Sequence, residues 1–243
     1  MSHKPRQANT FIALVSAAGL CSIACGLTQA ANCHPWEALT LFVVAVAASR
    51  MKVKLPGLTG TMSVNLPFVL LAVAELNLAE ALMVACASTM AQCWPKAGAK
   101  PKPVQMLFNI SSMAAAVALG WRVFHLGANG QPAWLPGAFL LPLAVSGFFL
   151  LQTIPVSIVI ALTEAGLAGK IWMSIARSTF PYYVLSAGMA SLAMAARQFP
   201  VSPISLLVLL VMYGTYGSFQ TYFRREVTEG CSLGLAKAAT AGM

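Results

Sequence analysis

Residues 55–80 read LPGLTGTMSVNLPFVLLAVAELNLAE, and the reading of this stretch decides the fold. It is apolar enough for a segment inside a bilayer, yet it carries Asn65 and Pro67 within the run and Glu75 and Glu80 at its far end. In water such residues are ordinary. At membrane depth an amide, a helix-breaking proline and two carboxylates each need a partner, because hydrocarbon supplies none.

The rest of the chain puts this stretch in a membrane. A soluble domain carries about 25% charged residues, whereas this chain of 243 residues carries 9%, against 58% hydrophobic. It lacks the charge to cover a water-facing surface, which excludes a soluble enzyme or binding domain. Working outward from 55–80, apolar runs at 36–49, 79–94, 104–124 and 136–162 predict neighbouring spans, with 58–76 as the third in order. A charge-free run at 10–31 predicts the first, a retained helix too long for a signal-peptide core of about 7–15 residues. Residues 182–196 and 203–223 supply the last two. Between them, 164–180 (EAGLAGKIWMSIARSTF) spaces Leu167, Ile171 and Ile175 four apart with Lys170 and Arg177 elsewhere, the pattern of an amphipathic helix lying along the surface.

The expected fold is therefore an all-α, polytopic membrane bundle of about eight helices. It occupies residues 1–223, and a short tail follows at 224–243. Of the 15 lysines and arginines, all but Arg122 and Arg197 then fall on one side, with both termini. The positive-inside rule makes that side the cytoplasm. The formal charge of +9, with six acidic residues that are all glutamate, is explained by this sorting and implies no nucleic acid. The six cysteines show no CxxC or Cys/His ligand spacing and read as reduced packing residues.

The candidate functional residues are the polar ones at depth. Pro67 removes the amide that would bond residue 63. Two readings are open: a kinked helix repaired by Asn65 and Ser63, or a discontinuous helix whose freed backbone lines a ligand site. Gln105 and Asn109, four apart, share a face that Ser112 extends; Gln92 lies at similar depth, and Gln152 with Thr153 sits beside Pro155. These amides suit either interhelical ties or a ligand, and Asn65 is expected to pair with Asn109 in any pocket. Glu75, Glu80, Arg122 and His125 form a separate feature at the outer end, where the carboxylates and the histidine read as solvated. A Glu75 that points inward becomes a candidate for binding a cation or proton. No nucleophile motif, Walker-type loop, HExxH or CxxCH occurs, so no catalytic role or metal is expected, and the question of a cofactor stays open.

Residues 54–94 (KLPGLTGTMSVNLPFVLLAVAELNLAEALMVACASTMAQCW) and 102–119 (KPVQMLFNISSMAAAVAL) resemble the multi-span, MASE-like membrane sensor region that precedes GGDEF or HD-GYP output domains in bacterial signalling proteins. The resemblance covers residues 40–125 best. It implies a bacterial inner-membrane module that senses or binds a small molecule. About twenty residues follow Phe223, so the module is expected to stand alone or work with a separate cytoplasmic signalling protein. Two other classes stay open: a small-solute transporter or its binding subunit, and an accessory subunit of a larger membrane complex. Small-residue runs at 111–120 and 186–196 also permit a homo-oligomer.

Overall fold

The computed structural model of the chain describes residues 3–28, 33–54, 61–94, 103–126, 140–164 and 166–197. Among them are seven helices: α1 (His3–Thr28), α2 (Pro35–Ser49), α3 (Leu66–Glu75), α4 (Leu78–Cys93), α5 (Pro103–Phe124), α6 (Leu140–Glu164) and α7 (Ala168–Arg197). A short antiparallel ribbon, β1 (Lys52–Lys54) with β2 (Thr61–Ser63), joins α2 to α3, Val53 standing opposite Met62. Among the described residues, three helical stretches are long and apolar enough to cross a membrane: Gln7–Thr28, Pro103–Phe124 and Leu140–Thr163. The eighth expected span, at 203–223, and the tail lie outside the described residues.

The helices pack around α5, which meets α1, α4 and α6, while α7 covers α6 and α3. Val69, Leu70 and Val73 of α3, Leu78 and Val84 of α4, Val117 of α5 and Phe148 of α6 are all buried in one core. Between helices in lipid the drive is close packing, since lipid tails are as apolar as leucine. Small residues therefore matter most where backbones approach. At Gly19 of α1 an added Cβ would lie 2.4 Å from the Ser111 Cα and carbonyl oxygen of α5.

Two boundaries differ from the sequence reading. The third helix starts at Leu66 rather than near residue 58, and Pro67 sits in its first turn. There the missing amide costs nothing, because the first amides of a helix have no intrahelical partner. Pro67 opens a helix instead of kinking one. The surface helix expected at 164–180 and the span expected at 182–196 are one helix, α7, of 30 residues with Pro181 inside. Ile175, Thr179, Tyr183, Ser186 and Ala190 are all buried and form a single stripe across Pro181, so packing on both sides of it carries the helix through. Lys170 and Arg177 are exposed, but so is Leu167, and Ile171 is half-buried, so of the apolar face expected at 167, 171 and 175 only Ile175 is buried.

Pro155, inside α6, leaves the Leu151 carbonyl without its helical donor. The Ser112 hydroxyl of α5 donates to that carbonyl at 3.1 Å. Ser112→Ala is expected to lower stability in detergent by about 0.6 kcal/mol, the average for interhelical hydrogen bonds in membrane proteins, and by no more than about 1.7 kcal/mol. Unfolding titrations with Thr163→Ala, an exposed position, as control check this.

Candidate functional site

Two polar clusters lie at two depths. The first surrounds the start of α3. The Asn65 side chain is buried and its Nδ2 donates to Ser88 Oγ of α4 at 3.0 Å. Ser88 Oγ in turn donates to the Ala85 carbonyl. The Leu66 amide, an unpaired donor of the first helical turn, donates to the Tyr182 hydroxyl of α7 at 3.2 Å. Three helices thus meet at one amide, one hydroxyl and one phenol.

The depth of this cluster follows from register. Asn109 Nδ2 of α5 donates to Cys93 Sγ at the end of the antiparallel α4, at 3.4 Å. Five residues inward along each helix, Ser88 lies level with Ala114, near the middle of the 22-residue α5. The ten residues of α3 rise only about 15 Å, half of a hydrocarbon core of about 30 Å. So α3 is a half-length helix that starts at mid-depth, with the ribbon leading into it.

Asn65 and Asn109 reach α4 at positions 88 and 93, which face about 140° apart around a helix of 3.6 residues per turn. They stand at different faces of α4, not across one shared pocket. Gln92 and Gln152 are half-buried, Gln152 with its Nε2 3.8 Å from Met113 Sδ, and Gln105 is exposed. The shared face of α5 runs from exposed Gln105 to buried Ser112, whose role is the α6 repair. Trp172 Nε1 donates to Thr153 Oγ1 at 3.1 Å, tying α7 to α6 beside Pro155.

The second cluster sits at the α3–α4 turn. Asn77 caps α4, its Oδ1 accepting from the Glu80 amide at 2.9 Å. Glu80 is 9% exposed, and its Oε1 accepts from the backbone amide of His34, before α2, at 2.8 Å. The reading of Glu80 as a solvated carboxylate is therefore overturned: its side chain is buried and bound by the His34 amide just ahead of α2. Asn77 Nδ2 lies 3.9 Å from Cys33 Sγ. Trp121 of α5 donates to the Leu76 carbonyl at 2.9 Å, and its indole stacks on His125 at 4.2 Å. His125 is half-buried, its Nδ1 2.9 Å from the Trp121 carbonyl; Glu75 is half-buried and Arg122 exposed.

Eight residues of α4 separate Glu80 from Ser88, about 12 Å of rise, and the buried Ala81, Leu82, Val84 and Ala85 fill it. The carboxylate and the mid-depth amide are separate features, as their positions in the sequence implied. Sequence reasoning missed Ser88, Tyr182, His34 and Trp121 as partners. The Ser88-Thr89 pair inside an apolar helix and the Pro181-Tyr182-Tyr183 run were the signals available for two of them. Among the described residues no three His, Cys, Asp or Glu side chains converge to hold a metal, and the described cysteines are free thiols.

The MASE9 family model matches residues 11–224, far beyond the 40–125 over which the sequence resemblance was clearest. No curated protein and no solved structure matches the chain significantly.

Proposed function

The chain belongs to the MASE9 family, a membrane-associated sensor family, and on that premise we propose that it is the non-catalytic sensing module of a bacterial signalling system. In this reading it lies in the inner membrane, both termini face the cytoplasm, and it acts on a cytoplasmic signalling protein or output domain. The family match along nearly the whole chain carries the proposal. The mid-depth junction supports it, because the start of a half-length helix is hydrogen-bonded there to both α4 and α7, so that a molecule bound at the junction would touch three helices at once. The candidate ligand-binding residues of this reading are Asn65, its partner Ser88, and Tyr182, which accepts from the neighbouring Leu66 amide.

The half-length α3 also favours a second reading, a small-solute carrier, since interrupted helices at mid-depth line transporter sites. Against it stands the apolar packing between the two polar clusters. Proteoliposomes distinguish the two: a carrier gives saturable uptake that falls when Asn65 is changed to Ala, and a sensor gives none.

The proposed sidedness has its own test. Cys33 is exposed beside the α3–α4 turn, which the reading places outside the cytoplasm. A variant keeping Cys33 as its single cysteine is expected to react with a membrane-impermeant maleimide in intact spheroplasts. Labelling only after permeabilisation would invert the topology.

A further inference from the structure

We propose that the exposed face of α7 around Arg177 holds the phosphate of an anionic phospholipid, drawn from the leaflet at which α7 starts. Tyr182 meets the Leu66 amide at mid-depth. Arg177 is five residues nearer the start of α7, about 7.5 Å along the axis, and so still inside a hydrocarbon half-thickness of about 15 Å. Lys170, twelve residues before Tyr182, lies about 18 Å from the centre, at the level of the headgroups.

One face carries both cations. With 3.6 residues per turn, Lys170, Met173, Ser174, Phe180 and Val184 all fall within about 60° of Arg177 around the helix. All six are exposed, Met173 at 61% and Phe180 at 57%, while the buried stripe from Ile175 to Ala190 turns the opposite side to α6 and α3. Arg177 thus stands among apolar side chains that face lipid, where a guanidinium needs an anion. The carboxylates among the described side chains are Glu37, Glu75 and Glu80, in the first turn of α2, at the end of α3 and in the first turn of α4. All three are at the other end of the bundle. Glu164 closes α6 at the connection to α7, and Arg177 is nine residues beyond that connection, about 14 Å further in.

The chemistry of this face fits a phosphate. Helical side chains lean toward the helix start, so the Arg177 guanidinium snorkels toward the headgroups over the turn that holds Ser174. Ser178 and Ser191 each donate back to a carbonyl of their own helix. The Ser174 hydroxyl makes no such bond among the described residues and is exposed. A forked guanidinium, a hydroxyl one turn earlier and the Lys170 ammonium below them suit the oxygens of one phosphate diester. Phe180 and Val184 continue the face for its acyl chain. Two unpaired cations select a lipid of net negative charge, because a zwitterionic headgroup brings its own cation to the phosphate. A second copy of the chain does not suit this face: both copies share one orientation in the membrane, so a two-fold pair sets Arg177 against Arg177 and Lys170 against Lys170.

Lipid binding is read on the purified full-length chain and is independent of the sensing role. Native mass spectra of that chain in mild detergent are taken during titration with phosphatidylglycerol, or with phosphatidylcholine of the same acyl chains. The first phosphatidylglycerol is expected to bind at least about five-fold more tightly, since each cation near an anionic headgroup contributes about 1 kcal/mol, or about five-fold. R177Q is expected to remove about five-fold of that preference. R50Q, which removes an exposed cation at the end of α2, leaves it unchanged. K170Q is expected to cost a factor similar to R177Q and decides the matter if R177Q fails to fold. Equal binding of the two lipids, equal losses in R177Q and R50Q, or a preference unchanged in both R177Q and K170Q overturns the proposal. So does displacement of the lipid by soluble glycerol phosphate at equal concentration, which marks a site for a free anion, or a lipid-free dimer as the species that R177Q disrupts.

Discussion

Replacing Gly19 with leucine is expected to detach α1 from the bundle. A Cβ at this position would lie 2.4 Å from the Ser111 Cα and carbonyl oxygen. Those atoms are backbone of α5 and cannot swing aside as a side-chain tip can. The helices must separate, and with them goes the packing of α1 along α5 and α6. Overpacking a core costs about 1–3 kcal/mol and more when backbone must move, so the loss is expected at the top of that range or above. Gly188 gives the contrast, since nothing lies within 4 Å of a Cβ there. Gly188→Ala is expected to be neutral or to stabilise by up to about 1 kcal/mol through helix propensity. Detergent unfolding midpoints of the two variants, compared with the parent, check both signs together.

The second large effect is expected at Asn65. Asn65→Asp keeps the shape of the side chain but replaces the Nδ2 donor with an acceptor facing Ser88 Oγ at mid-depth. An ionised side chain at the bilayer centre costs about 2.5–3.5 kcal/mol on insertion scales, and Ser88 loses the donor that now reaches it. Gln105→Glu makes the same chemical change at an exposed position near the start of α5. It is expected to stay within about 0.5 kcal/mol of the parent. Equal destabilisation by the two changes would mean that Asn65 is not held at depth.

The parts of this fold legible in the sequence are those whose signal is local. Apolar runs placed α2, α4 and α5 to within a residue of Pro35–Ser49, Leu78–Cys93 and Pro103–Phe124, because loop prolines, an asparagine cap and basic residues bound them. Residues 61–65 looked helical since hydropathy does not register that Pro67 belongs to a first turn, which only the ribbon strand before it reveals. Residues 164–180 and 182–196 looked like separate helices because the stripe from Ile175 to Ala190 becomes visible only once α3 and α6 cover it. The site was less legible still. Spacing along a helix says which residues share a face and nothing about what stands opposite. Asn65 was identifiable as a polar residue at depth, but Ser88 and Tyr182 are 23 and 116 residues from their partners. Glu80 looked solvated in Leu-Asn-Leu-Ala-Glu. What binds its carboxylate is a backbone amide 46 residues earlier, a partner that no local pattern announces.

These placements bear on how a signal could cross the molecule. Glu80 stands at the α3–α4 turn and Ser88 at mid-depth on the same helix. In the sensing reading proposed above, a change in how α4 is held at its start would pass along that helix to the junction with Asn65 and, through α3, to Tyr182. Beyond Tyr182, the N-terminal half of α7 continues to exposed Lys170, on the side proposed to be cytoplasmic. Rigid helices carry such a displacement without a polar path through the core, which a carrier would need.

The central claim, that the chain senses and reports to the cytoplasm, is tested most directly by photocrosslinking from position 170 of the full chain in native membranes. The account predicts that a crosslinking residue there captures a cyclic-nucleotide signalling enzyme or its output domain, and that Gly19→Leu, which disrupts the bundle, abolishes the capture. Crosslinks to lipid alone under every growth condition, together with saturable solute uptake by the purified chain, would contradict it.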